Sequence, residues 1–142
     1  CGCGSFGCVE QYSSATGIVR IAQELAEENE FSKLNDKENL TSQDIFEIAN
    51  QGDDIAKEVF RRQGYYLGLM LAGLVNTLNP EAIVVGGGAS GSWDLFIPFL
   101  EEQIKIRCYS EPAKRAKIIR AKLGDDAGIL GVARLGFENP KS

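Results

Sequence analysis

The sequence predicts an α/β fold with several helices and an incomplete sheet. Apolar residues recur at three-and-four spacing over most of the stretch up to Leu78, which is the helical signature. Two brief β-branched runs follow, with a helix-patterned segment between them, and the first run ends in a glycine-rich turn. Strands joined through a helix pair in parallel. The order helix, helix, long helix, strand, helix, strand, helix is therefore an α/β layer, with too few strands to look complete.

Each element has its own signal. Within residues 9–29, Ile18, Ile21, Ala22, Leu25 and Ala26 share one face while Glu24, Glu27 and Glu28 occupy the other, which predicts one amphipathic helix. Residues 30–40 are polar and unpatterned, as expected of a surface loop. Thr41 and Asp44 form a capping-box-like start for a short helix through Ile45, Phe46, Ile48 and Ala49, which Gly52 ends. The acidic pair Asp53-Asp54 then opens a helix reaching about Thr77, roughly 37 Å long at 1.5 Å per residue. It is charged up to Arg62 and almost wholly apolar after Gln63. Gly64, Gly68 and Ala72 lie on one stripe of it. Glycine costs a helix interior roughly 1 kcal/mol against alanine, so the stripe predicts a face where another backbone comes close.

Asn79-Pro80 stops that helix. Ala82, Ile83, Val84 and Val85 form a four-residue apolar run suited to a buried parallel strand. Residues 93–107 are again helical in pattern, with Pro98 expected in or near the first turn. Residues 116–121 have strand length around Ile118-Ile119. Asp125-Asp126 starts a final small-residue helix over residues 127–135, with a short polar tail after it.

Composition narrows the chemistry. The chain has 142 residues, 44% of them hydrophobic and 25% charged, ordinary for one globular domain. Its 15 Lys+Arg against 20 Asp+Glu give a net charge of −5, which argues against a nucleic-acid partner or an anionic membrane surface. No run reaches the roughly 18 apolar residues of a membrane span. Histidine is absent, which excludes a Ser-His-Asp or Cys-His nucleophile and any metal site needing imidazole from this chain. The first residue is Cys1 and the only methionine is Met70, so the sequence reads as a processed product or a piece of something longer.

Three features can carry chemistry. Cys1, Cys3 and Cys8 stand within eight residues, separated by glycines that permit tight turns, and thiols so placed can converge on one zinc ion at about 2.3 Å each. A merely buried or redox-sensitive thiol cluster is the plainer alternative. A structural site wants four ligands, so either Cys108 folds back, a carboxylate or water fills the place, or the ligand lies upstream; alone, Cys108 reads as a small core hydrophobe. Glu10 follows the cluster closely, where a metal knuckle would hold its backbone fixed for reading a ligand; a first-turn Glu favoured by the helix dipole is the alternative. Gly86, Gly87 and Gly88 end the first strand and leave main chain bare for a nucleotide, or form an ordinary turn. The run is neither a Walker A loop nor a dinucleotide fingerprint. Asp125 and Asp126 have nothing to raise them above a helix start.

Together these residues resemble the ROK family of sugar kinases and sugar-responsive repressors, most closely its bacterial glucokinases. The pattern C-x-C-G-x-x-G-C-x-E is matched at every fixed position from Cys1 to Glu10, and Ser13-Ser14-Ala15-Thr16-Gly17 follows as a family-like helix start. The run from Leu78 to Gly88 is similar to the adenosine motif of the actin-like ATPase (ribonuclease H-like) fold, and the run from Leu123 to Gly131 is similar to the usual ending of these glucokinases.

The resemblance implies that residues 1–142 form the C-terminal lobe of such a kinase, residues 1–10 being its zinc segment and the N-terminal lobe lying elsewhere. It implies Cys1, Cys3 and Cys8 as ligands of a structural zinc, with a histidine just upstream as the fourth. Glu10 would bind sugar hydroxyls, and Gly86, Gly87 and Gly88 would contact the adenosine of ATP. The implied reaction is phosphoryl transfer from Mg2+-ATP to the 6-hydroxyl of glucose or a related hexose, in a cytoplasmic homodimer. The phosphate loop and the Asp general base belong to the N-terminal lobe, so this chain alone is expected to be inactive. A sugar-responsive repressor of the same family and a zinc-stabilised module without catalysis are the competing readings.

Overall fold

The computed structural model describes residues 1–138. Among the described residues seven α-helices run in chain order as α1 (Glu10–Ser13), α2 (Ala15–Glu27), α3 (Ser42–Asn50), α4 (Asp54–Leu78), α5 (Trp93–Arg107), α6 (Ser110–Arg115) and α7 (Ala127–Glu138). Strands β1 (Ala82–Val85) and β2 (Lys117–Arg120) pair in parallel, Ala82 opposite Lys117 and Val85 opposite Arg120, with α5 and α6 as the crossover. The α/β prediction holds, with the sheet limited to these two strands among the described residues.

The helical part is built around α4. Its N-cap Asp53 accepts hydrogen bonds from the Ala56 N–H at 2.9 Å, the Lys33 N–H at 2.8 Å and the Ser32 hydroxyl, so one carboxylate starts the helix and ties the preceding loop to it. Partial burial alone would raise its pKa, but these donors outweigh it and hold the carboxyl below its ordinary value. Thr41 and Asp44 close a full capping box on α3. Asn79 ends α4 in the left-handed conformation, with φ 46°.

The predicted close approach is between α4 and α5. A Cβ on Gly64 would lie 2.2 Å from the Phe96 carbonyl oxygen, and one on Gly68 would lie 2.7 Å from that of Leu100. Only glycine lets the two backbones meet at this separation. Around the crossing Ile18, Ile45, Val59, Phe60, Phe96 and Leu100 are fully enclosed and form the centre of the core. Trp93, the first residue of α5, sets its ring edge-on to Phe96 at 5.5 Å.

Several expectations are corrected. The helix foreseen over residues 9–29 is broken at Ser14, whose extended backbone (φ −83°, ψ 167°) separates α1 from α2 while its hydroxyl caps α2 by accepting from the Gly17 N–H at 3.0 Å. The apolar run 82–85 is a parallel strand but not a buried one, since Val84 is 64% exposed. Pro98 sits in the second turn of α5, on its exposed face, where water can reach the carbonyl group that loses its helical partner. The loop at 30–40 contains a 3-10 turn, Lys33–Asp36, that buries Leu34. Helix α6 has no apolar period to announce it. Helix α7 extends to Glu138, and the polar tail expected after it falls at residues 139–142, outside those described.

Candidate functional site

The first eight residues form a turn and loop, exposed up to Gly7. Gly4 and Gly7 adopt φ 80° and 71°, conformations that side-chain-bearing residues resist, and the Gly4 N–H closes one turn on the Cys1 carbonyl at 3.0 Å. This brings the three thiols together. Cys3 and Cys8 share a hydrogen bond at 3.5 Å between their Sγ atoms, and all three Sγ atoms lie within 4.8 Å of one another. Thiolates about 2.3 Å from a common tetrahedral ion stand about 3.8 Å apart, so the donors and their spacing fit zinc. Hydrogen bonds from the Ser5 backbone N–H and from Cys8 hold the Cys3 thiol below its ordinary pKa, which favours the thiolate that a metal needs. Cys108 is not part of this group. Its thiol donates to the Ala72 carbonyl at 3.6 Å, and burial pushes it up, as befits the core hydrophobe foreseen for it.

Glu10 opens α1 directly behind the turn. Its exposed carboxylate accepts a hydrogen bond from the Cys1 thiol, Sγ to Oε2 3.7 Å, so the thiol group and the acidic side chain occupy one place. Helix α1 is one turn long and buries no residue of its own. What holds it is a ring of contacts to its backbone and to Tyr12. The Ser14 hydroxyl donates to the Glu10 carbonyl at 2.6 Å, and Arg20 Nη2 donates to the Gln11 carbonyl at 2.8 Å. The Tyr12 ring centroid lies 4.2 Å from that of Tyr66 on α4 and 5.8 Å from the Arg20 guanidinium. Ser14, Arg20 and Tyr66 were not among the residues predicted for the site. Only the cap at Ser14 has a local signature, because the tyrosines meet across distant parts of the chain.

The glycine turn lies apart from that cluster, at the carboxyl end of β1. Its three glycines have three different reasons. Gly87 has φ 89°; a Cβ on Gly86 would come 3.0 Å from the Cβ of Ala121; Gly88 has open space around the position a Cβ would take. Gly88 thus carries no side chain and is exposed, with nothing of the protein where a Cβ would stand. Beside it a cleft of about 60 Å³ is lined by Ile18, Ser42, Gln43, Phe46, Phe60, Gly88, Gly91 and Ser92. Ile18 here and Gly17 against α1 are neighbours, so the first turn of α2 stands between the two candidate sites.

A parallel strand pair with a helical crossover, a glycine turn at the strand end and a long helix packed alongside place the molecule in the actin-like ATPase fold. The chain belongs to the ROK family, whose profile matches residues 1–138. It is 41% identical over 135 residues to a glucokinase of Halalkalibacterium halodurans, covering 92% of this chain and 41% of that protein. It is also similar, at 28% identity, to a xylose repressor of Caldicellulosiruptor bescii, covering 92% of this chain and 34% of the repressor. Among solved structures, a ROK family glucokinase from Streptomyces griseus in complex with glucose and AMPPNP superposes with a TM-score of 0.82 at 30% identity, over 97% of this chain and 47% of that one. The chain therefore spans less than half the length of these relatives.

Proposed function

We propose that residues 1–142 are the C-terminal lobe of an ATP-dependent hexokinase-type enzyme that phosphorylates glucose, or a related hexose, at the 6-hydroxyl. The observation that carries this is the bare backbone at Gly88 after a parallel strand, which suits an adenosine floor, in a chain whose relatives include glucokinases. Glu10 binds sugar hydroxyls through its exposed carboxylate, where two acceptor oxygens can each take a hydroxyl donor. Cys1, Cys3 and Cys8 hold a structural zinc that fixes the turn in front of Glu10. Gly86, Gly87 and Gly88 let the nucleotide lie against main chain. Bound Mg2+-ATP supplies the transferred phosphoryl group and the cation that offsets its charge. Catalysis of this kind is mainly positioning, which can be worth roughly 7–11 kcal/mol, and the general base and phosphate loop expected in the N-terminal lobe are needed for it. The chain by itself is expected to be inactive.

The likeness to xylose repressors supports a second reading, a sugar-responsive regulator, in which Glu10 would bind the sugar as well. Incubating the full-length protein with glucose and ATP separates them. Glucose 6-phosphate formation together with nucleotide binding is expected; glucose binding without either would favour the regulator, and no sugar binding at all would favour a zinc-stabilised module. Metal analysis of the purified full-length protein is expected to return one zinc per chain, and its loss in Cys3→Ser would assign the ligand. A zinc-free protein would remove the metal from the reading.

A further inference from the structure

We infer that Gly17 and Arg20, at the start of α2, are positioning residues that set where the Glu10 carboxylate stands, an inference that rests on the reading of Glu10 as a sugar ligand. A Cβ on Gly17 would lie 2.7 Å from both the carbonyl carbon and the carbonyl oxygen of Gln11, and 2.8 Å from the carbonyl oxygen of Glu10. All three are backbone atoms of α1, so no side-chain rotation relieves the contact. Arg20 reaches the same segment from one turn further on, donating Nη2 to the Gln11 carbonyl at 2.8 Å. Neither residue touches the Glu10 carboxylate.

The asymmetry between the two helices decides which one yields. Helix α2 buries Gly17, Ile18, Ile21, Ala22, Leu25 and Ala26, whereas α1 buries nothing. A methyl group at position 17 therefore pushes α1 outward while α2 keeps its place in the core. Restoring an ordinary contact moves the Glu10–Gln11 backbone by roughly 0.7 Å, and a misplacement near 1 Å can cost a site about a hundredfold. The Glu10 backbone then carries its carboxylate away from the sugar hydroxyls, while Ile18, beside the glycine turn, stays where it is.

The test uses the full-length protein and compares Gly17→Ala, Arg20→Met, Arg20→Lys and Glu10→Ala by glucose KM, ATP KM, kcat and direct glucose titration. Gly17→Ala is expected to raise glucose KM and Kd roughly 10- to 100-fold, with ATP KM and kcat at saturating sugar within about twofold. Partial unfolding would instead lower kcat and leave KM alone. Arg20→Met, which needs no new space, carries the test should Gly17→Ala fail to fold; a several-fold rise in glucose KM is expected, with Arg20→Lys restoring most of it by keeping a donor. Unchanged glucose KM in both Gly17→Ala and Arg20→Met, while Glu10→Ala raises it, overturns the positioning role and leaves the sugar reading standing. Unchanged sugar binding in Glu10→Ala overturns the sugar reading, and the positioning role with it.

Discussion

The two halves of the chain treat the same kind of side chain in opposite ways. Where helices α2 to α5 face one another their apolar residues are enclosed, with Val59, Phe60, Phe96 and Leu100 sealed between them, while Leu78 and Ile106 at the helix ends are exposed. β1, β2 and α7 carry the same kinds of apolar side chain, yet Val84 is 64%, Ile129 73% and Phe137 85% exposed. The difference is one of geometry. A helix pair can bury its facing stripes by itself once Gly64 and Gly68 let the backbones close, whereas a two-stranded parallel sheet has two faces, one whose Ile83, Val85 and Ile118 reach the core and one whose Val84 and Ile119 do not.

Mutations sharpen this contrast, taken from the largest expected effect downward. Phe96→Ala empties a fully enclosed site and is expected to cost about 3–5 kcal/mol in denaturant unfolding. Gly64→Ala forces α5 away from α4 and is expected to cost about 1–3 kcal/mol, the usual range for overpacking. Asp53→Ala removes the cap of α4 and its tie to the preceding loop, an expected loss of about 0.5–2 kcal/mol. Ile129→Ser in the exposed half is expected to stay within about 0.5 kcal/mol. A cost for Ile129→Ser as large as that of Phe96→Ala would break the comparison.

Acid should weaken the helical half in a defined window. Lys37, then Thr41, hold the Asp44 carboxyl down to about 2 from its ordinary 3.8, and Asp53 is held lower than usual as well. Both groups have depressed folded values, so their contribution is complete above the ordinary carboxylate range and is lost as pH falls from about 4 towards 2. Unfolding followed against pH in Asp44→Asn and Asp53→Asn is expected to show a shallower loss across that window than the parent protein shows.

The long helix α4, the capping box at Thr41 and Asp44 and the positions of both strands were all legible in the sequence, because each rests on a pattern local to the residues concerned. The three thiols and Glu10 were legible for the same reason, and the structure brings them together. The break at Ser14 was signalled only by the serine-rich helix start at residues 13–17, and the unbroken period of Ile18, Ile21 and Leu25 outweighed it in the reading of one helix over residues 9–29. Helix α6 is too short to show a period. The exposure of Val84 was hidden because β-branching reports a strand and says nothing of what covers it. The contacts of Tyr12 with Tyr66 and of Arg20 with Gln11 depend on the folded arrangement of α1, α2 and α4, which no short window contains.

The placement of Trp93 has a spectroscopic consequence. It is the only tryptophan in the chain, it directly follows the Gly88–Ser92 turn, and its indole rests on the enclosed Phe96. One fluorophore therefore joins the glycine turn to the α4–α5 crossing. Its emission would register an event at the turn as a change in the indole's surroundings and the melting of the helical half as a red shift, while the exposed strands and α7 stay dark.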